Sequence, residues 1–340
     1  MTTRFLSLPL DRLTEATSIA LAQQIQLAEV QTPLSPVPIT TALVHCDGAC
    51  DGACDGDNAS VSTAQTADEQ TPIVMLHGFD SSVFEFRRLL PLLAATHPVW
   101  AIDLLGFGFT DRSIDLAFSP AAIKTHLYYT WKTLIGKPMV LVGASMGGAA
   151  AIDFALSYPE AVQQLVLIDS AGFTAGPALG KYLIAPLGYL ATAFLRNLKV
   201  RQNISLKAYH DPSFASPDAL SCAALHLDRI GWRQALIAFT RSGGYGSFQQ
   251  QLPQLRMPTL IVWGRCDRIL GTTDAERFQQ AIPNSQLVWI EACGHVPHLE
   301  SPQTTANRIL EFIGLSGTGI TSTPIRSTPV DPHSAIDPNS

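Results

Sequence analysis

Gly143-Ala144-Ser145-Met146-Gly147 directly follows the apolar run Pro138-Met139-Val140-Leu141-Val142 and leads into Ala149-Ala150-Ala151-Ile152-Asp153-Phe154-Ala155-Leu156. The first run reads as a buried strand and the last as a helix that ends near Pro159. A strand that passes into a helix through Gly-x-Ser-x-Gly makes a sharp turn with the serine at its tip. The flanking glycines are required because the backbone approaches its neighbours too closely there for a Cβ. The turn holds the hydroxyl clear of the sheet, and the helix points its N-terminus at the site. The pentapeptide alone is a weak signal. With a strand before it and a helix after it, Ser145 becomes a candidate nucleophile.

A serine nucleophile needs a general base, a group that orients the base, and N–H donors for the oxyanion. Three other apolar runs end in residues of those types. Ile73-Val74-Met75-Leu76 runs into His77-Gly78-Phe79-Asp80, and Leu260-Ile261-Val262-Trp263-Gly264 into Arg265-Cys266-Asp267. Leu287-Val288-Trp289-Ile290 leads to Cys293-Gly294-His295. Each candidate follows the carboxyl end of a strand, where open parallel sheets place their sites. The chain order is Ser145, Asp267, His295, which separates this arrangement from other serine-hydrolase folds.

Residues from about Thr71 to Gly314 resemble the α/β-hydrolase superfamily. Besides the serine turn, the matching pieces are Leu76-His77-Gly78-Phe79, the stretch from Asp103 to Asp111, Trp263-Gly264-Arg265-Cys266-Asp267, and Gly294-His295-Val296-Pro297-His298-Leu299-Glu300. The resemblance implies an α/β fold, with a mostly parallel twisted sheet flanked by helices and a helical cap inserted over the active site. It implies Ser145 as nucleophile and His295 as base, ahead of His298, because the base directly follows the motif's glycine. Asp267 is the implied acid. Asp169 is its rival, since some members carry their acid after the preceding strand. The oxyanion donors would be the backbone N–H groups of Phe79 and Met146. His77 is expected to order the oxyanion loop, and Asp103 and Asp111 to fix the turn Gly106-Phe107-Gly108. Arg241 and Arg265 are expected to be structural or solvated instead of clamping substrate.

Serine at the turn argues against haloalkane dehalogenases and epoxide hydrolases, which carry aspartate there. Ser145-Met146-Gly147-Gly148 before an alanine-rich helix resembles both carboxylesterases and the C–C bond hydrolases of aromatic-ring degradation. The C–C hydrolases usually have a more glycine-rich oxyanion loop and an aromatic residue after the histidine; this chain has Phe79-Asp80 and Val296. The expectation is therefore cleavage of a carboxylic ester of a hydrophobic small molecule or lipid, through an acyl-enzyme on Ser145. C–C bond hydrolysis of ring-fission type and a non-catalytic hydrolase-like ligand receptor are the alternatives. No cofactor and no metal are expected.

Composition sets bounds. The 340 residues, 46% hydrophobic and 15% charged, suffice for one α/β domain with an insertion. A net charge of −6 without a basic cluster gives no reason to invoke nucleic acid. No stretch reaches the roughly 18 uninterrupted apolar residues of a membrane span, so no stable membrane insertion is expected. Asp11, Arg12 and Glu15 interrupt the apolar centre that a signal peptide needs, and a cytoplasmic enzyme is the expectation.

Residues 1–70 are expected to hold a weak amphipathic helix up to about Glu29, an early strand from Val37 to His45, and a flexible linker. That linker contains the tandem Cys46-Asp47-Gly48-Ala49-Cys50-Asp51-Gly52-Ala53-Cys54-Asp55-Gly56-Asp57, which has neither zinc-type cysteine pairs nor EF-hand spacing. Cys222, Cys266 and Cys293 read as small apolar fillers. Core is expected over 71–170, with strands Pro98 to Asp103 and Val162 to Asp169 and a helix from the N-cap Ser119 to Ile135. The cap is expected over 171–255, where strand-helix alternation stops. Core resumes over 256–314, with helices Thr273 to Ala281 and Pro302 to Ile313, and a disordered tail is expected over 315–340.

Overall fold

The computed structural model describes residues 4–48, 70–112, 116–174 and 185–317. Most of the cysteine repeat, Tyr182-Leu183-Ile184 of the expected cap, and the chain after Gly317 lie outside the described residues. Nine strands form one sheet among them: β1 Arg4–Phe5, β2 Gln26–Val30, β3 Ile39–Cys46, β4 Ile73–Leu76, β5 Val99–Ile102, β6 Met139–Ala144, β7 Val162–Ile168, β8 Thr259–Gly264 and β9 Ser285–Ile290. Their order is β1-β2-β3-β5-β4-β6-β7-β8-β9. β1, β2 and β3 pair antiparallel up to β5, and every later pairing is parallel. Every residue of β4, β6 and β8 is buried. That explains their unbroken apolar sequences, because a parallel sheet is covered by helices on both faces.

The helices are α1 Ala16–Gln24, α2 Leu90–Ala94, α3 Pro120–Leu134, α4 Met146–Ser157, α5 Ala185–Arg196, α6 Leu198–Ala208, α7 Pro217–Ala224, α8 Trp232–Arg241, α9 Thr273–Ala281, α10 Pro297–Glu300 and α11 Pro302–Gly317. The sheet divides most of the buried apolar side chains into two clusters, one on each face, and a small third one holds Tyr209, Ala215 and Leu299. Ser119 caps α3 as its sequence suggests, its hydroxyl accepting from the Ala122 N–H, with Pro120 in the first turn. Between β7 and β8 the described residues form α5, α6, α7 and α8 and no strand.

Two expectations need correction. The first helix stops at Gln24, and Gln26–Val30 turns into β2, paired antiparallel with β3 from Gln26↔Leu43 to Val30↔Ile39. The pairing satisfies the free edge of β3, a long-range demand that local helix preference does not show. At its other end α1 is capped from afar, because Asp218 of α7 accepts the Thr14 N–H at 2.6 Å, the Glu15 N–H at 2.9 Å and the Ser18 hydroxyl at 2.5 Å. The second correction is that α11 runs past Ile313 to Gly317. Cys222 is also more than a filler: its buried thiol contacts Ser18 Oγ at 3.4 Å and Asp218 Oδ2 at 3.5 Å, and burial pushes its pKa to about 11.

A buried histidine on α3 makes this fold sensitive to acid. His126 Nε2 lies 2.8 Å from Thr41 Oγ1 of β3, and burial lowers its pKa to about 4. An unfolded histidine titrates near 6.5, so between about 6.5 and 4 the unfolded chain binds the proton that folded His126 refuses. The stability linked to His126 is full above 6.5 and is lost as pH falls towards 4. Asp103, raised to about 7 by burial, titrates in the opposite sense, so the comparison of variants is the clean readout. His126→Asn is expected to be destabilised at pH 7.5 and to recover up to about 3 kcal/mol relative to the parent by pH 4. Chemical denaturation of both proteins at several pH values measures this. A stability gap that does not change with pH contradicts it.

Candidate active site

β6 ends at Ala144, and Ser145 takes φ +53° and ψ −119° before α4 begins. Such a left-handed backbone costs roughly 1–3 kcal/mol in a non-glycine residue and persists only where its surroundings fix it. Here the Ser145 N–H donates to Ile168 O at 2.9 Å, while Ser145 O accepts from Gly148 N–H at 3.0 Å and Ala171 N–H at 2.9 Å. The two glycines are required by contact. A Cβ at Gly147 would stand 2.0 Å from Leu76 O, and one at Gly143 would stand 2.3 Å from Gly147 O.

His295, in the loop after β9, presents Nε2 to Ser145 Oγ at 3.1 Å. Its Nδ1 lies 2.9 Å from Asp267 Oδ2, in the loop after β8. An ionised carboxylate only accepts hydrogen bonds, so the proton sits on Nδ1 and Nε2 is left to accept from the serine. Asp267 is 6% exposed. Burial pushes its pKa up, but the His295 hydrogen bond and charge, with the Ile269 and Leu270 N–H groups on Oδ1, outweigh this and hold it below the ordinary value. The His295 N–H donates to Ala208 O at 2.7 Å, which fastens the loop to the end of α6.

The structure also separates the rivals. Asp169 is fully buried at the end of β7, and its carboxylate accepts the Gly264 N–H at 3.1 and 3.3 Å. Burial, then the nearby Asp267 charge, raise its pKa well above the ordinary value. His298 pairs with Glu85 instead of Ser145, its Nε2 lying 3.2 Å from Glu85 Oε1. Asp169, Asp267 and His295 are the described residues whose donor atoms cluster tightly enough for a metal ion. Asp267 and His295 bond each other, His295 reaches Ser145, and Asp169 holds the Gly264 N–H, so the trio is part of one hydrogen-bonded network.

The loop after β4 passes directly against the serine: a Cβ at Gly78 would lie 3.3 Å from Ser145 Cβ. His77 holds this loop. Its Nδ1 is 2.8 Å from Gly78 O, Nε2 accepts the Leu104 N–H at 3.1 Å, and burial lowers its pKa to about 4. Glu85 accepts the Gly78 N–H at 2.8 Å. Phe79 follows Gly78 in the loop, and Met146 opens α4, where a backbone N–H finds no partner inside its own helix. Asp103 fixes the Gly106-Phe107-Gly108 turn through Val83 N–H at 2.7 Å and Phe109 N–H at 2.6 Å. Asp111 instead accepts from Arg112, and the Arg112 guanidinium bonds Gly106 O at 3.0 Å. Arg265 stacks over Trp289 at 4.0 Å, and Arg241 is exposed in the last turn of α8.

Sequence reading missed the role of Asp80. This residue next to Phe79 takes φ +50° and is buried. Its carboxylate accepts the Trp232 indole N–H at 2.7 Å, pairs with Arg201, and lies 3.2 Å from His226 Nε2. All three partners belong to the segment between β7 and β8, so Asp80 locks those helices to the loop beside Ser145. Glu300 makes a matching lock on the histidine side, accepting N–H groups of Gly294 at 2.7 Å, His210 at 3.0 Å and Asp211 at 2.6 Å. The only signal in sequence was an aspartate beside the His-Gly motif, which does not disclose its distant partners.

Between these locks lies a cleft of about 320 Å³, with Ser145 and His295 in its wall. The rest is largely apolar, including Phe79, Phe84, Ile204 and Leu299. That size lies at the small end of small-molecule sites. The arrangement sets the Ser145 hydroxyl, the His295 imidazole and the N-terminus of α4 against a largely apolar cleft.

A family model described as alpha/beta hydrolase fold matches residues 71–302. The "alpha/beta hydrolase domain-containing protein VTE7" of Arabidopsis thaliana is 34% identical over 246 residues, covering 72% of this chain and 74% of that protein. Lipase 1 of Psychrobacter immobilis is 27% identical over 248 residues, covering 71% and 76% of the two chains. The solved structure of a meta-cleavage product hydrolase from Pseudomonas fluorescens IP01 superposes with a TM-score of 0.65 at 20% identity, over 85% of this chain and 98% of that one.

Proposed function

The chain belongs to the alpha/beta hydrolase fold family, and on that premise we propose that it is a serine hydrolase that cleaves carboxylic esters of hydrophobic small molecules or lipids. One observation carries the reading: the unbroken chain Asp267–His295–Ser145, with links of 2.9 and 3.1 Å, opens on an apolar cleft. Ser145 Oγ attacks the acyl carbonyl while His295 Nε2 takes its proton. Asp267 holds the resulting imidazolium through Nδ1–H. Negative charge on the carbonyl oxygen meets the N–H groups of Phe79 and Met146 and the N-terminus of α4. Collapse breaks the ester bond, and the alcohol leaves with the proton from His295. Water, deprotonated by the same nitrogen, then attacks the acyl-enzyme and releases the acid.

The helices between β7 and β8 act as a cap in this reading, closing the apolar wall of the cleft. Each methylene buried there contributes about 0.8 kcal/mol, so kcat/KM is expected to rise as the acyl chain lengthens by a few carbons and to level off once the cleft is full. A series of p-nitrophenyl esters from acetate to palmitate, run beside a vinylogous ring-fission diketone, tests both bond type and chain length. Inert esters together with turnover of the diketone would overturn the ester reading in favour of C–C bond hydrolysis.

A further inference from the structure

The segment that covers the cleft has an unusual outer face. From Ser170 through His210 the chain contains no acidic residue, in a protein whose net charge is −6; of the cations within it, Arg201 is buried on Asp80, while Arg196, Lys199 and Lys207 are exposed. α5 packs inward through Gly188, where a Cβ would touch Ile237 of α8 at 3.3 Å, and through the buried Thr192. Leu187, Leu190 and Phe194 are spaced i, i+3 and i+7 and so share one helix face. They are 52%, 66% and 62% exposed. Leu198 and Leu206 of α6, which contacts α5, are exposed as well. A run of large exposed apolar side chains marks an interaction surface.

The cations identify the partner. Lys199 and Lys207 are exposed on α6 among these residues. The Arg233 guanidinium sits 5.3 Å over the Tyr189 ring on the adjoining α8, while Arg196 is paired with Asp228 at 2.8 Å. An apolar helix face edged by lysine and arginine fits the boundary between acyl chains and anionic headgroups. The face is also continuous with the cleft mouth: Ile204 of α6 and Ile269 line the cleft and are 45% and 41% exposed.

We propose that α5 and α6 dock the protein on the surface of an anionic lipid bilayer, with Leu187, Leu190 and Phe194 entering the acyl boundary and Lys199 and Lys207 facing the headgroups. Docking in this pose turns the cleft mouth towards the lipid. None of the chain's described helices is long and apolar enough to cross a membrane. The proposal concerns a surface and holds whichever bond the site cleaves.

Flotation of the full chain with two kinds of vesicle tests it: equimolar phosphatidylglycerol and phosphatidylcholine, and phosphatidylcholine alone. The protein is expected to float with the anionic vesicles, to float little with the neutral ones, and to be released by added salt. Leu190→Asp with Phe194→Asp, and separately Lys199→Glu with Lys207→Glu, are each expected to weaken binding by about 10-fold or more. Both pairs are on the surface, so melting within a few degrees of the parent confirms the fold. Absence of flotation, equal flotation on neutral vesicles, or undiminished binding by the folded apolar pair would overturn the proposal. So would a solution dimer that the apolar pair dissolves without any vesicle binding, because the face would then be a contact between two copies.

Discussion

Ser145→Ala and His295→Ala are each expected to lower kcat on an aryl ester by at least about 10³-fold, with little change in melting temperature. Removing Oγ leaves the acyl group nothing to attach to, and removing the imidazole leaves Oγ protonated with no acceptor at 3.1 Å. The backbone of the turn is held by bonds from Ile168, Gly148 and Ala171 that alanine keeps, so the fold does not depend on the hydroxyl. The remaining rate in either variant would come from the oxyanion donors and binding alone. The double variant should therefore be hardly slower than either single one, because the two groups act as a unit. Initial rates with purified, folded protein decide this. Activity within a few-fold of the parent in either variant would remove that residue from the mechanism.

The second large effect separates the two buried carboxyls. Asp267→Asn is expected to lower kcat by about 10²–10⁴-fold, because an amide donates to Nδ1 and turns the imidazole into the wrong tautomer. Nε2 would then carry the proton and could not accept one from Ser145. Asp169→Asn is expected to stay within about 10-fold. Burial and the Asp267 charge raise the Asp169 pKa well above the ordinary value, and an asparagine keeps both an acceptor for the Gly264 N–H and a donor towards Asp267. Steady-state kinetics of the two folded variants measure the ranking. The reverse order would assign the acid to Asp169.

What could be read from the chain alone follows from where its constraints act. The serine turn was legible because its demands are local: an apolar strand, two glycines pressed against backbone, and a helix after them. Asp267 and His295, the proposed acid and base, were legible as residues at strand ends, since a parallel sheet brings those ends together. The choice between Asp267 and Asp169 rested on family likeness, whereas in the structure it is Asp267 that lies 2.9 Å from His295 Nδ1. Two features were hidden for the same reason. Gln26–Val30 becomes a strand only because β3 offers an edge, and the sequence around it reads as a continuation of α1. Asp80 finds Arg201, His226 and Trp232 at separations of 121, 146 and 152 residues, which no local pattern announces. The exposed face of α5 was equally out of reach. Spacing alone does not say which side of α5 packs, and in the structure Gly188 turns inward and Leu190 outward.

The claim on which the account rests is that Ser145 is an activated nucleophile, and covalent capture tests it without knowledge of the substrate. A fluorophosphonate reacts with a serine whose proton is removed by a neighbouring base and whose oxyanion is stabilised. Intact-mass measurement followed by peptide mapping is expected to find one label per chain, on the peptide containing Ser145. The label should be missing in Ser145→Ala and slowed by at least about 10²-fold in His295→Ala. Folded protein that takes no label, or takes it at another residue while Ser145 stays free, would contradict the account.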